Sequence, residues 1–159
     1  MSYKRGILGG LIAGMVMGMW EMAAEQVAGG NGFWAPLTYI AATVLRDYQQ
    51  VPTPVSFAML PAALGLMGHM MNSVLLGAVF IKQAPRISYS ATSRVALGLA
   101  YGVLVLGIMW LAVLPLVDPV MLRLNFAAFS IGHIMWGLAL GVAVAWEPAV
   151  KARWSHDPA

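Results

Sequence analysis

Residues 57–81 read FAMLPAALGLMGHMMNSVLLGAVFI, 25 positions without an Asp, Glu, Lys or Arg. At 1.5 Å per residue a helix of that length covers about 37 Å, more than the roughly 30 Å hydrocarbon core of a bilayer. Three further apolar stretches, at 6–28, 94–114 and 125–146, are also near the 20 residues that a crossing needs. The pattern predicts an all-α membrane protein of a single domain, residues 1–159, with four transmembrane helices. Composition agrees: 60% of the residues are hydrophobic, only 9% are charged, and the mean hydropathy is +0.77, too little charge to cover a water-soluble surface.

Lys4 and Arg5 ahead of the first apolar stretch resemble the start of a signal peptide. That stretch is too long, has no A-x-A site and carries two glutamates, so it reads as a span. With no cysteine, disulfides, thiolate metal sites and Cys nucleophiles are excluded. Lys4, Arg5, Lys82, Arg86, Arg94, Lys151 and Arg153 fall on one side of a four-span topology, and Arg46 and Arg123 on the other. By the positive-inside rule both termini are expected in the cytoplasm. The basic residues flank spans and are not interleaved with stacking aromatics, which gives no nucleic-acid surface.

The chain reads as two similar hairpins. GLIAG (10–14) opens the first span as GLAYG (98–102) opens the third, and GHMMNSVLLGA (68–78) is echoed by GHIMWGLALGV (132–142). His69 then pairs with His133, Ser73 with Gly137 and Gly77 with Gly141 at one constant offset. The halves differ by the segment 29–56, where Leu37, Ile40, Ala41, Val44 and Leu45 recur at helical spacing among Phe33, Trp34, Tyr39 and Tyr48. This predicts a short interfacial helix between spans one and two, with a re-entrant segment as the alternative. Thr53 and Pro54 suit the N-cap and first position of span two, and Pro61 is expected to kink or restart it.

Helices in lipid approach through small residues. Gly10, Gly14 and Gly18 form such a ridge on span one and continue into Glu21 and Glu25; Gly65, His69, Ser73 and Gly77 form one on span two, and His133, Gly137 and Gly141 one on span four. Counting the helical rise places Glu21, His69 and His133 in the half of the bilayer away from the termini. A polar intramembrane site of Glu21, His69 and His133, with Glu25, Asn72 and Ser73 beside it and Arg123 and Asp118 at its mouth, is the functional expectation. A charged residue at mid-bilayer costs about 2.5–3.5 kcal/mol on insertion scales, which marks it as a candidate site. The bland account is equally physical: neutral imidazoles that bond across helices, a solvated Glu25, and an uninformative His156. The 12 methionines invite a Cu(I) site, but residues such as Met15, Met17, Met19, Met22, Met67, Met70 and Met71 point all around their helices, as packing filler does.

Three chemistries fit the polar residues. A proton or ion relay uses Glu21 and two imidazoles. Haem b ligation would use His69 and His133 from different helices, although tight glycine ridges oppose the room a macrocycle needs. A metal centre of Glu21, His69 and His133, with Glu25, lacks the Glu-x-x-His spacing of bundle di-iron sites. No nucleophile-base motif or phosphate loop supports an enzyme. A separate class is a packing subunit whose glycine faces dock on a second copy, as a homo-oligomer, or on a larger membrane complex.

The elements GLIAG…WE, GHMMNS and GHIMW resemble the YagU-like family of small bacterial inner-membrane proteins. The resemblance covers the spans and not the loops. It implies four spans and an inner-membrane location, and assigns no catalytic residue. The polar site would then face the periplasm.

Overall fold

The computed structural model describes residues 3–87 and 90–154. They form helices α1 (Tyr3–Ala24), α2 (Ala35–Ala41), α3 (Met59–Ile87), α4 (Ala91–Ile108), α5 (Leu114–Val117) and α6 (Phe126–Trp154), with no strand among the described residues. Four stretches are long and apolar enough to cross a membrane: Ile7–Gly29, Met59–Ala84, Ala91–Val117 and Phe126–Ala145. The protein is an integral membrane helix bundle.

The ends of these spans follow local chemistry. A π-turn, Glu25–Gly29, extends α1 and stops at Gly30, whose φ of +74° suits a residue without a Cβ. A second π-turn, Met109–Val113, joins α4 to α5 just ahead of Pro115, so the third span runs on past the expected residue 114. Ser90 caps α4 by accepting from the Ser93 amide at 3.0 Å. Asn125 caps α6 by accepting from the Ala128 amide at 3.1 Å, and α6 continues to Trp154.

Two expectations at the start of span two are corrected. The helix begins at Met59 and not at Thr53-Pro54, because the preceding chain is non-helical and pinned by a 2.7 Å bond from the Val55 amide to the Asn31 carbonyl. Pro61 therefore falls in the first turn, where a missing amide hydrogen costs nothing, and neither kinks nor restarts the helix.

In cross-section the long helices lie in the order α3, α1, α6, α4: α1 packs on both α3 and α6, α6 on both α1 and α4, while α3 and α4 touch sparsely. Glycines set these approaches. A Cβ on Gly10 would lie 2.8 Å from the Ser73 carbonyl oxygen, and one on Gly14 2.7 Å from the Ser73 Cβ. Gly98 and Gly137 face each other's carbonyls, and Gly141 meets Val95. The ridge on α6 thus serves α4. Gly65 packs on the backbone of Leu37 in α2, and Gly77 on Gly10.

α2 is helical within the expected segment, but its packing is not that of an amphipathic helix with one apolar face. Leu37, Thr38, Tyr39 and Ala41 are all buried, while Val44 is exposed. Together with Val55, Leu114, Val120 and Phe129 it forms one apolar cluster at the end of the bundle away from the termini, here called the capped end. A second cluster, of Phe80, Ile81, Trp136, Leu140 and Val144, fills the other half.

Candidate intramembrane site

Between the two clusters lies a cavity of about 340 Å³. α1 and α6 form its floor, α3 one wall, and α4 with α5 the other, while Ile40 and Thr43 reach it from the α2 segment. Toward the termini the space is filled by Phe80, Tyr101 and Trp136, stacked at centroid distances of 5.1 and 5.7 Å, with the Tyr101 hydroxyl donating to the Leu76 carbonyl at 3.1 Å. Asn72, Thr43 and Val117 line the cavity and are also exposed. They mark a mouth at the sparse α3–α4 edge that runs from Asn72 to Thr43 and Val117 at the capped end. Asn72 sits at the middle of its span Met59–Ala84.

Six of the expected site residues meet here: Glu21, His69, Asn72, Ser73, His133 and Asp118. Glu21 projects from α1 toward α6, where Gly132 admits it; a Cβ on Gly132 would lie 2.9 Å from Oε1. Its residue exposure is 3%, and Oε1 has no hydrogen-bond partner among the described residues. By helical rise it lies about 4–5 Å from the middle of its span, toward the capped end, as do His69 and His133 to within about 1 Å.

Both imidazoles are oriented by backbone. His69 Nε2 donates to the Gly14 carbonyl at 2.8 Å, beside Gly18, where a Cβ would crowd the same nitrogen at 3.1 Å. His133 Nδ1 donates to the Phe129 carbonyl at 2.9 Å, with the two rings 4.3 Å apart. A carbonyl only accepts, so in the neutral rings Nδ1 of His69 and Nε2 of His133 are left as acceptors. Ser73, by contrast, is fully used: it donates to the Gly10 carbonyl and accepts from Trp136 Nε1, both at 2.7 Å.

Glu25 and Arg123 belong elsewhere. Glu25 is not solvated, as the bland account had it, but is 1% exposed; Oε2 accepts from Asn31 at 2.7 Å and Oε1 from the Asn125 amide at 2.6 Å. Asn31 Nδ2 also donates to the Arg123 carbonyl at 3.0 Å, and the Tyr39 hydroxyl donates to Asn31 Oδ1 at 3.3 Å. Burial raises the Tyr39 pKa, and Arg123 opposes that rise. Arg123 is exposed and donates to the Val51 carbonyl at 2.9 Å, so it ties the non-helical segment down and does not line the cavity. Asp118 is buried at the capped end of the cavity, accepting from Thr43 at 2.8 Å and from Gln49. Burial raises its pKa above the ordinary 3.8, against the opposing pull of those two bonds and of Arg46. His156 lies outside the described residues.

Sequence reading missed Asn31, Thr43, Gln49 and Asn125. The Gly-Asn break at 29–32 and the Asn before span four were the available signals. For the haem alternative, each ring keeps one nitrogen off the backbone, Nδ1 of His69 and Nε2 of His133, while glycine contacts hold α1 against α3 and α4 against α6. Among the described residues no three His, Asp or Glu side chains are placed to hold a metal ion. Met15, Met19, Met67 and Met71 are exposed, whereas Met17, Met109 and Met121 line the cavity. No protein-family model, curated protein or solved structure matches this chain.

Proposed function

We propose that this protein is a small non-enzymatic membrane component whose working part is the mid-bilayer cleft, with Glu21 as its binding group and His69 and His133 as flanking acceptors. Glu21 takes up a proton or a small polar or charged group there. The observation that carries the reading is Glu21, a buried carboxyl residue of the cavity lining whose Oε1 has no hydrogen-bond partner among the described residues. Buried carboxyl oxygens in lipid are costly when unpartnered, so one held open beside a cavity is suited to an occupant. The seven basic residues at the terminal side against two at the capped side support a cytoplasmic placement of both termini and a cleft offset toward the outer side. The resemblance to the YagU-like family supports the inner membrane as its location.

A pure packing subunit is less well supported, since Gly10, Gly14, Gly98, Gly137 and Gly141 are spent on contacts inside the chain. The test is infrared titration of the carboxyl stretch in lipid vesicles. The protein should show a titrating buried carboxyl band that Glu21→Gln abolishes. Identical spectra from the two proteins would refute the assignment.

A further inference from the structure

We infer that the occupant of the cleft is an amphiphilic ammonium cation that enters from the bilayer between α3 and α4. This rests on Glu21 being the binding group and adds the chemical class. Two carboxyl residues, Glu21 and Asp118, line the cavity, and no Lys or Arg does. Asp118 is satisfied by Thr43 and Gln49, with an arginine near it. Glu21 is the carboxyl left without a counter-charge, which an ammonium supplies and a carboxylate or phosphate head would aggravate.

The remaining polar atoms agree. Nδ1 of His69 and Nε2 of His133 accept and do not donate, and an ammonium donates and does not accept.

Size and access define the rest of the molecule. A cavity of about 150 Å³ is known to hold a benzene. The 340 Å³ here accommodates a head and a ring or several carbons, with a longer tail leaving along the mouth at Asn72. An exposed amide at the middle of a span has no use against hydrocarbon, but it can bond a polar head passing into the cleft. Met17, Met109 and Met121 give the cavity lining soft side chains, which suits a class of bodies more than one shape.

The test uses the full chain in zwitterionic vesicles and three diazirine probes with the same dodecyl tail, ending in ammonium, hydroxyl or carboxylate. Labelled peptides are mapped by mass spectrometry. The ammonium probe should label the cleft around Leu76, Met109 and Val113 at a concentration about tenfold below the alcohol, and the carboxylate should not label it. Glu21→Gln should erase that preference, Glu21→Asp should keep it, and Asn72→Trp should reduce labelling by every probe. An alcohol that labels as well as the ammonium, or a preference that survives Glu21→Gln, overturns the inference. If no probe labels the cleft while the infrared response of Glu21 persists, the cation is wrong and the polar site stands; if that response is absent too, both fail.

Discussion

Ser73 is where three helices meet, since its hydroxyl joins the Gly10 carbonyl of α1 to the Trp136 indole of α6 from its own place on α3. Removing it leaves the buried Trp136 indole N–H unpaired, at about 1–3 kcal/mol, and takes from the Gly10 carbonyl a bond made in addition to its helical one. Ser73→Ala should therefore lower unfolding stability in detergent by roughly 2 kcal/mol, while Ser73→Thr, which keeps the hydroxyl, must push its extra methyl against Gly14. Asp118 makes a pH prediction with a definite sign. Its folded pKa is raised above 3.8 by burial, so the folded protein holds this proton more tightly than the unfolded chain. The cost of ionising it is absent below the ordinary value and complete only above the raised one. Thermal midpoints should fall as pH rises through that window, and Asp118→Asn should remove this part of the slope. Glu21, His69 and His133 were legible because each interrupts an apolar run. The burial of Glu25 was not, because its two partners lie 6 and 100 residues away, and nothing local distinguishes a bonded carboxylate from a hydrated one.

At the scale of elements, the glycine ridges were readable from spacing, but the partner of each was not. Gly65 shares a stripe with His69 and Gly77 yet meets α2, a helix that composition placed at the interface and packing buries. A stripe records that something comes close and leaves open which helix it is. Where the approach is backbone to backbone, any side chain separates the helices. Gly98→Val should push α4 off α6, since its Cβ would strike the Gly137 carbonyl, and should cost several kcal/mol or prevent folding. Gly107 is the control: nothing lies within 4 Å of a Cβ there, so Gly107→Ala should be neutral or stabilise by about 0.5–1 kcal/mol. Comparing both variants by thermal unfolding separates contact from composition. The start of α3 escaped sequence reading for a related reason: Thr53-Pro54 looks like a helix start, and distant groups, the Asn31 carbonyl and Arg123, hold that segment out of the helix.

For the whole molecule, the four spans follow from hydropathy, and the cleft follows from the order α3, α1, α6, α4, which no single span encodes. The two outer helices of that order are left with a loose edge, and the cavity opens along it. Sidedness is testable directly because the chain has no cysteine to remove. Single cysteines at Asp47 and Gln83, both exposed and at opposite ends of the bundle, should be labelled by an impermeant maleimide from the outer and inner faces respectively. The most direct test of the central claim compares carbodiimides in vesicles. A lipid-soluble carbodiimide should modify Glu21 through the bilayer-facing cleft and spare the bonded Glu25, and a water-soluble one should modify neither. Modification of Glu25 ahead of Glu21, or equal access to Glu21 from water, would contradict a lateral cleft with Glu21 as its open polar group.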